Sequence, residues 1–288
     1  MPKMVIIADD LTGAADSAAA CMRAGAEAIV WLDRTDGDDS TPETASVLAI
    51  DANTRCLAPS QAAEVTARLV RRYGDAGALA DQTLLFKKVD STLRGHLAVE
   101  LGAALNARRE QVSSGQRVVA LLAPAFPAQG RTTVHGRQML KGKPLEDVDS
   151  WQGERVRPRS NIADVLGEAG LLCGIVELAT IRSEPRSLEA AMTRLASEAD
   201  VIVCDAETEA DLQAIAKSSR ALGPGTVLAG SAGLARYILS NPEFPRTAGA
   251  PDHGHATALE KGPTLFVVGS LSEASRQQAR MLAAAPDI

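Results

Sequence analysis

Short apolar runs alternate with amphipathic stretches along most of the chain. The apolar runs are continuous and predict buried strands at residues 5–8, 28–32, 47–50, 84–86, 118–122, 175–178, 201–204, 227–229 and 265–268. Amphipathic stretches such as residues 14–24 and 60–73 lie between them and predict helices. Continuous apolar strands spaced by helices are typical of a parallel sheet covered on both faces. The predicted fold class is therefore α/β, a mainly parallel sheet sandwiched by helices.

Local features predict helix starts and a long loop. We expect Ser60 to cap the second helix at its N-terminus, and Thr208 to open a capping box with Asp211. Residues 124–159 are rich in glycine, proline and charge, and we predict that they are mostly loop. A loop of that length is uncommon unless it is functional or contains further elements.

A change in composition near residue 240 predicts the domain organisation. Residues 241–263 contain four prolines and three glycines among few apolar residues, which indicates a linker after a first domain at residues 1–240. One strand and one helix cannot bury a core of their own. Residues 264–288 are therefore expected to be the truncated start, the opening βα unit, of a second α/β domain.

Composition narrows the class of protein. The 288 residues include 30 Lys and Arg against 36 Asp and Glu, a formal net charge of −6. This balance disfavours a nucleic-acid partner, which needs a clustered basic face. The four cysteines form no Cys-x-x-Cys pair, which disfavours a disulfide scaffold and a zinc site and favours a reducing compartment. No run reaches the ~18 apolar residues of a membrane span, so we expect a cytoplasmic protein without a membrane partner.

The first candidate site is the sequence A-D-D-L-T-G-A at residues 8–14, where the first strand ends and the first helix begins. In open α/β sheets, ligands bind beyond the carboxyl ends of the strands. Asp9 and Asp10 are costly to ionise together unless a positive or hydroxylic group faces them. The alternative interpretation is that Asp10 or Thr12 only caps the helix.

The second candidate site is the sequence K-K-V-D-S-T-L-R-G-H at residues 87–96, which also follows a strand. Alternate strand residues share a face, so Lys88 and Asp90 point one way and Lys87 the other. Two hydroxyls, a carboxylate and an arginine within five residues suit a small polyhydroxy acid, because the arginine can clamp a carboxylate. Its alternative is a solvated strand end with a Ser or Thr cap.

Further candidates follow other strands. Arg55 ends the sequence D-A-N-T-R and could supply another anion contact, although a loop arginine is more often only solvated. The sequence at residues 124–136 suggests a shaped loop over the site, with Arg131 and His135 as candidates. Glycine-serine turns at residues 229–233 and 269–272 could admit an anion at a helix N-terminus, but each alone is weak.

Together these segments resemble the four-carbon acid sugar kinase family, once known only as a domain of unknown function. The resemblance covers essentially the whole chain, in the family's order, and rests on I-A-D-D-L-T-G-A, K-K-V-D-S-T-L-R-G-H, P-A-F-P-A-Q-G-R-T-T, V-I-V-C-D-A-E-T-E-A-D-L, L-A-G-S-A-G-L-A and V-V-G-S-L-S. It implies an enzyme that uses ATP to phosphorylate the terminal hydroxyl of threonate, erythronate or 3-oxo-tetronate. It also implies an acid-sugar domain at residues 1–240 and a nucleotide domain that starts at residue 264.

The resemblance and the strand-end motifs together define the candidate site residues. The expected substrate-binding residues are Asp9, Asp10, Arg55, Lys88, Asp90, Ser91, Thr92 and Arg94. Ser270 would sit at the start of the ATP site.

In the mechanism that we expect, an arginine anchors the acid carboxylate while Asp90, Ser91 and an aspartate of the first motif fix the hydroxyls. We assign the catalytic base to Asp10, with Asp9 as its substitute. Mg²⁺ would bridge the ATP phosphates, and no dedicated metal ligands are predicted.

The chain departs from the family pattern because the later glycine-rich nucleotide loops are missing. One alternative is therefore a truncated, catalytically incompetent module that binds acid sugars. A dinucleotide enzyme is a second alternative, but the glycine fingerprint is absent. An interaction protein is a third. The sequence leaves open the particular acid and whether the chain forms a homo-oligomer.

Overall fold

The structure is a computed structural model that describes most of the chain. The described residues are 2–33, 45–74, 83–112, 116–148, 159–223, 225–239, 265–268 and 273–284. The predicted linker at 241–263 lies outside this set, and so does Ser270. The predicted domain division therefore stays a prediction.

Eight strands form one sheet in which every neighbouring pair is parallel. The strands are β1 (Met4–Ala8), β2 (Ala28–Leu32), β3 (Val47–Asp51), β4 (Leu84–Lys88), β5 (Ala120–Ala123), β9 (Cys173–Val176), β10 (Val201–Cys204) and β11 (Val227–Gly230). Their order across the sheet is β2-β3-β1-β4-β11-β5-β10-β9. The predicted α/β class with a parallel sheet is confirmed.

Helices cover both faces of this sheet. They are α1 (Leu11–Arg23), α2 (Pro59–Gly74), α3 (Leu97–Gln111), α4 (Ile162–Gly167), α5 (Leu178–Ile181), α6 (Pro185–Glu198), α7 (Glu209–Ser218) and α8 (Ala232–Ile238). A further helix, α9 (Glu273–Ala283), follows later in the chain. On one face α8 packs between α1 and α7, and on the other α3 packs against α2 and α4.

The core lies in two layers, one on each side of the sheet. Met4 and Ile6 of β1 belong to one apolar cluster, and Val5 and Ile7 belong to the other. Alternate residues of a strand point to opposite faces, so a strand covered on both sides is apolar throughout. This is the physical reason for the continuous apolar runs in the sequence.

The last strand of the sheet lies in its middle. β11 pairs with β4 on one side and β5 on the other, with Gly230 opposite both Lys88 and Ala123. A Cβ atom at Gly230 would come within 2.5 Å of the Ala123 carbonyl oxygen, so only glycine fits there. Because β11 lies between β4 and β5, the start of α8 lies beside the carboxyl ends of β1 and β4.

The prediction of a loop over residues 124–159 is wrong for its central part. Residues 131–144 form a three-stranded antiparallel sheet of β6 (Arg131–Val134), β7 (Arg137–Leu140) and β8 (Lys143–Pro144). Its first hairpin turns at His135 and Gly136, which both take positive φ, as the favoured two-residue hairpin turn requires. These short strands carry few apolar residues, so hydrophobic periodicity did not predict them.

Three predicted details also need correction. Ser60 does not cap α2, because the helix already begins at Pro59, whose fixed φ suits a first helical position. The first helix begins at Leu11 rather than residue 14, since Asp10 caps it.

Residues 265–268 form no strand, because a strand needs a partner for its backbone ladder and none of the described strands pairs with them. The capping box from Thr208 to Asp211 is confirmed.

None of the described helices combines the length and the apolar character that crossing a membrane would require.

Candidate functional site

A polar pocket lies at the carboxyl ends of β1, β4 and β11 and beneath the loop that follows β5. It encloses about 200 Å³. Pockets for drug-sized ligands measure roughly 300–1,000 Å³, so this one suits a smaller molecule. Its walls are formed by Asp10, Thr12, Gly13, Asp16, Lys88, Asp90, Ser91, Arg94, Phe126, Gln129, Arg131, Ser231 and Ala232.

Asp10 caps α1 and also lines the pocket, so its role as a cap does not exclude a role in a site. Its Oδ1 accepts a hydrogen bond from the Gly13 amide at 2.8 Å. Its Oδ2 accepts from the Arg55 guanidinium at 2.6 Å. Asp9 is nearly fully buried and does not line the pocket.

Arg55 lies behind the pocket and joins three aspartates, of which Asp10 and Asp90 line the pocket and Asp9 does not. The guanidinium donates to Asp9 at 2.8 Å and to Asp10 at 2.6 Å, and it approaches Asp90 at 3.7 Å. Burial alone would lower the pKa of Arg55, but the hydrogen bond and charge of Asp9, with the charges of Asp90 and Asp10, raise it. Arg55 is therefore a fixed cation between carboxylates, and its role as a direct substrate contact stays a prediction.

Asp90 and Arg94 form a bidentate ion pair on the wall of the pocket. The guanidinium Nε and one terminal nitrogen donate to the two carboxylate oxygens at 3.0 and 2.8 Å. Thr92 is buried beside them and donates to Asp90 through its amide and its hydroxyl. Burial favours the neutral acid, but Arg94, Thr92 and Arg55 outweigh it and hold the pKa of Asp90 well below its usual range.

The backbone of this loop is strained at the site. Leu93 has a φ of 59°, a conformation that residues with a branched side chain rarely adopt. Its amide donates to the Asp90 carbonyl oxygen at 2.8 Å, which closes the turn. The turn aims both Asp90 and Arg94 at the pocket, and strain of this kind is concentrated at functional sites.

Lys88 brings a buried ammonium group to the floor of the pocket. Its Nζ donates to the Val89 carbonyl oxygen at 2.8 Å. Burial lowers the pKa of Lys88, although the charges of Asp9, Asp90 and Asp10 oppose that shift. A ligand oxygen beside the Lys88 nitrogen would lie in a low-dielectric setting, where electrostatic interactions are stronger than in water.

Arg131, which the sequence offered as a candidate but which is not among the expected substrate-binding residues, lines the pocket. It stands on β6, and its terminal nitrogen donates to the Gln129 side chain. Its Nε is buried and has no hydrogen-bond partner among the described residues. Burial lowers the pKa of Arg131, and Arg94 acts in the same direction while Asp90 opposes it. Arg131 thus has donor capacity for a ligand, whereas Arg94 already grips Asp90.

The hairpin that carries Arg131 is fixed to the loop that carries Ser91. The buried Gln138 side chain donates to the Ser91 carbonyl oxygen at 2.7 Å and accepts from the Thr133 hydroxyl at 2.7 Å. Asp205 accepts from the amides of His135 and Gly136 at 2.7 and 2.9 Å, and so clamps the turn. The side chain of His135 is 75% exposed and lies outside the pocket wall.

The predicted site residues divide into two groups within the described chain. Five line the pocket, namely Asp10, Lys88, Asp90, Ser91 and Arg94. Three support them from behind, namely Asp9, Arg55 and Thr92. Sequence reasoning missed Asp16. It singled out the segment that contains Phe126 and Gln129 as a loop over the site, but it named neither residue as a candidate. Ser231 belongs to a glycine-serine turn that the sequence did single out.

We predict that Gly13→Ala disturbs the floor of the pocket. A Cβ atom there would lie 2.7 Å from Asp10 Oδ1 and 3.2 Å from Lys88 Nζ. The free energy of unfolding should fall by about 1–3 kcal/mol, as overpacking usually costs. Gly167→Ala is the matched control, because open space surrounds Gly167 in α4. Chemical denaturation should show the control to be more stable by about 0.4–1 kcal/mol. A Gly13→Ala protein as stable as the control would contradict this packing.

Within the described part of the chain, no group of three or more His, Cys, Asp or Glu side chains could hold a metal ion. The fold and the pocket define a class: a parallel α/β domain with a small polar pocket at the strand ends. Residues 4–238 match the model of the family described as "Sugar-binding N-terminal domain", and the chain belongs to that family.

Curated relatives match nearly the whole chain. A D-threonate kinase from Cupriavidus necator is 37% identical over 279 residues, which cover 96% of this chain and 63% of that protein. A D-threonate kinase from Bordetella bronchiseptica is 35% identical over 98% of this chain and 62% of its own length. A D-erythronate kinase from Heliobacterium modesticaldum is 29% identical. These names confirm the resemblance to acid sugar kinases. The chain spans about three fifths of the length of the curated relatives it matches.

A solved structure from Bordetella bronchiseptica has the same fold. It is 33% identical with a TM-score of 0.67, and the match covers 82% of this chain and 55% of that one. That protein is described as a domain of unknown function with bound citrate, in a domain-swapped dimer.

Proposed function

We propose that this chain is the acid-binding part of an ATP-dependent kinase that phosphorylates the terminal hydroxyl of a four-carbon acid sugar. The observation that carries the proposal is the pocket itself, because its cations and carboxylates face one another in a volume of about 200 Å³. An anionic, hydroxylated molecule needs both kinds of group. Relatives named D-threonate and D-erythronate kinase support the same substrate class.

In this proposal Arg131 and Lys88 bind the acid end of the substrate. Arg131 has a buried Nε with no partner in the described chain, and a guanidinium can bind a carboxylate through two parallel hydrogen bonds. Arg94 completes that side of the pocket while Asp90 orients it. Ser91 and Asp90 are the proposed contacts for the substrate hydroxyls.

Asp10 is the proposed catalytic base. It lines the pocket with 27% of its side chain exposed, whereas Asp9 is only 3% exposed and lies behind. As the hydroxyl oxygen bonds to the γ-phosphorus and the bond from that phosphorus to ADP breaks, the proton of the attacking hydroxyl passes to the Asp10 carboxylate. Arg55 then stays beside the protonated acid and favours its return to the anion.

In this proposal, ATP is bound by residues outside the described pocket. ATP would supply the phosphoryl group, and Mg²⁺ would neutralise negative charge on it. Among the described residues no cluster of His, Cys, Asp or Glu side chains could hold a metal ion, so none of them is assigned to Mg²⁺. Ser270 remains the proposed start of the ATP site.

Calorimetric titration of the chain with D-threonate, D-erythronate, 3-oxo-tetronate and Mg-ATP tests the binding part of the proposal. We expect heat of binding with at least one of the acids. An ATP-consumption assay on the protein at the length of its relatives then tests the reaction. Acid binding without turnover in the longer protein would favour the alternative, a binding module that does not catalyse.

We predict that Asp10→Asn in that longer protein lowers kcat by about 10²–10⁴-fold, because general base catalysis contributes on that scale. The acid should still bind, since an asparagine keeps the shape of the side chain. Asp164→Asn, a change on the exposed face of α4, is the control and should leave kcat unchanged. Normal turnover by Asp10→Asn would remove Asp10 as the base.

We also propose a homo-oligomer, because the Bordetella bronchiseptica relative is described as a domain-swapped dimer. Light scattering of the purified protein would test this, and a monomeric mass at micromolar concentration would oppose it.

A further inference from the structure

A buried ion pair lies on the opposite face of the sheet from the pocket. Lys87 Nζ is 3.3 Å from Glu100 Oε2, and these side chains are 2% and 4% exposed. The hydroxyl of Thr54, which is fully buried, donates to Glu100 Oε1. Lys87 precedes Lys88 in β4, so the alternation of the strand turns it away from the pocket.

The three donors of the Lys87 ammonium each find an acceptor. One faces Glu100, and the others face the carbonyl oxygens of Ile7 at 3.4 Å and of the next residue, Lys88, at 3.3 Å. Those carbonyls stand near the ends of β1 and β4, two residues before Asp9 and Asp90. The ammonium therefore joins the two strand ends that carry pocket carboxylates.

Thr54 connects the same cluster to Arg55. The amides of Thr54 and Arg55 both donate to the Asp9 carbonyl oxygen, at 3.0 and 3.1 Å. The Thr54 hydroxyl is bonded to Glu100 of α3. The guanidinium of the next residue, Arg55, contacts Asp9 and Asp10 on the pocket side of the sheet.

A buried ion pair is a poor way to gain stability, because removing two charges from water can cost more than their attraction returns. Apolar side chains could close this part of the core, as they do elsewhere on the same face. Unlike apolar packing, the hydrogen bonds and the ion pair of the charged cluster fix the relative positions of the groups that they join. The cluster joins β1, β4, α3 and the loop after β3 at the level of the strand ends.

We propose that Lys87, Glu100 and Thr54 form a positioning device that sets the place of Arg55 against the pocket aspartates and thereby sets the affinity for the acid. The effect on affinity rests on the proposed function. The effect on Arg55 does not, because the contacts of its guanidinium exist without substrate.

The test compares Thr54→Val, Thr54→Ser and Thr66→Val in the full 288-residue chain. Valine keeps the shape of Thr54 but removes the donor to Glu100, whereas serine keeps that donor. Thr66 is also fully buried, on α2, and its hydroxyl has no hydrogen-bond partner in the described chain. Thr66→Val therefore makes the same chemical change at a buried position, but it removes no hydrogen bond to Glu100.

Two readouts separate the device from the function. The first is the hydrogen exchange rate of the Arg55 Nε proton, measured by NMR without ligand, since that proton donates to Asp9 at 2.8 Å. We expect faster exchange in Thr54→Val only. The second is the calorimetric affinity for the acid, which should fall about tenfold in Thr54→Val and return in Thr54→Ser, because small misplacements of binding groups cost on that scale.

Each outcome decides one question. Unchanged exchange and affinity in Thr54→Val, or equal losses in Thr54→Val and Thr66→Val, would overturn the positioning role. Faster exchange in Thr54→Val, together with a wild-type chain that binds none of the acids, would support the device and count against the proposed function. If Thr54→Val does not fold, Glu100→Gln keeps an acceptor for Thr54 but removes the charge that faces Lys87. Faster Arg55 exchange in that variant supports the device, and unchanged exchange overturns it.

Discussion

Arg131→Gln is expected to weaken the binding of a four-carbon acid by about 100-fold, or ~3 kcal/mol, because two hydrogen bonds to a charged group are lost. Arg131 is the described pocket arginine whose Nε has no partner, so the ligand has that donor to itself. Gln129, which faces it, is neutral and cannot replace the lost charge. Calorimetric titration with each acid, and with the matching uncharged alcohol, measures the effect.

The matched control is Arg137→Gln on the same hairpin. Arg137 stands half-exposed on β7, 3.4 Å from Glu146, and does not line the pocket. Its substitution should leave acid affinity unchanged, and the uncharged alcohol should bind both variants equally. If Arg131→Gln binds the acid as tightly as the wild type, Arg94 is the carboxylate anchor, as the sequence alone suggested.

Arg55→Met is expected to lower the free energy of unfolding by about 3 kcal/mol at pH 7, because breaking a buried ion pair leaves uncompensated charge. Asp9 and Asp10 would lose their shared guanidinium, and Asp9 is nearly fully buried. Methionine keeps much of the apolar stem, so the loss reports charge more than packing. Denaturant unfolding followed by circular dichroism measures it.

The pH dependence of that loss has a definite sign. Arg94, Thr92 and Arg55 together outweigh burial and hold the pKa of Asp90 below its usual range. A carboxyl with a lowered folded-state pKa contributes stability that is present above its unfolded value, ~3.9, and is lost as the pH falls towards the folded value. Arg55→Met removes one part of this contribution. The difference between wild type and variant should therefore be largest at neutral pH and should narrow below about pH 4.

Arg71→Met is the control for the stability experiment. Arg71 pairs with Glu110 at 2.7 Å, but both side chains are 54% exposed. Exposed ion pairs contribute little because water screens them. We expect no measurable change in stability, at neutral or acidic pH. An Arg55→Met protein as stable as Arg71→Met would show that the aspartates need no buried cation.

The strands of the main sheet were predictable because burial on both faces leaves a direct record in the sequence. Residues 201–204 are apolar throughout and form β10 at those residues. The capping box at Thr208 was equally local, since four consecutive residues contain both of its hydrogen bonds. The small sheet at residues 131–144 left no such record, because its strands are two to four residues long and mostly polar.

The sequence predicted which motifs lie at the candidate site, but it did not predict which of their side chains contact one another. The principle that ligands bind beyond strand ends selected Asp10 and Asp90 correctly as pocket residues. The sequence assigned the carboxylate to Arg94, but the fold turns Arg94 onto Asp90. Arg131 entered the pocket through a hairpin whose existence the sequence did not reveal.

By itself, the sequence determined the α/β class, the strand ends that carry chemistry and the family, because burial pattern and motif order are local properties of the chain. Only the tertiary structure decided which charges meet. Insertion of β11 between β4 and β5 sets the neighbours of each strand end. Three loops distant in sequence then place Arg55 among three carboxylates and leave Arg131 with a donor for the ligand. Electrostatic pairing acts through space over a few ångströms, so it depends on strand order rather than on sequence distance.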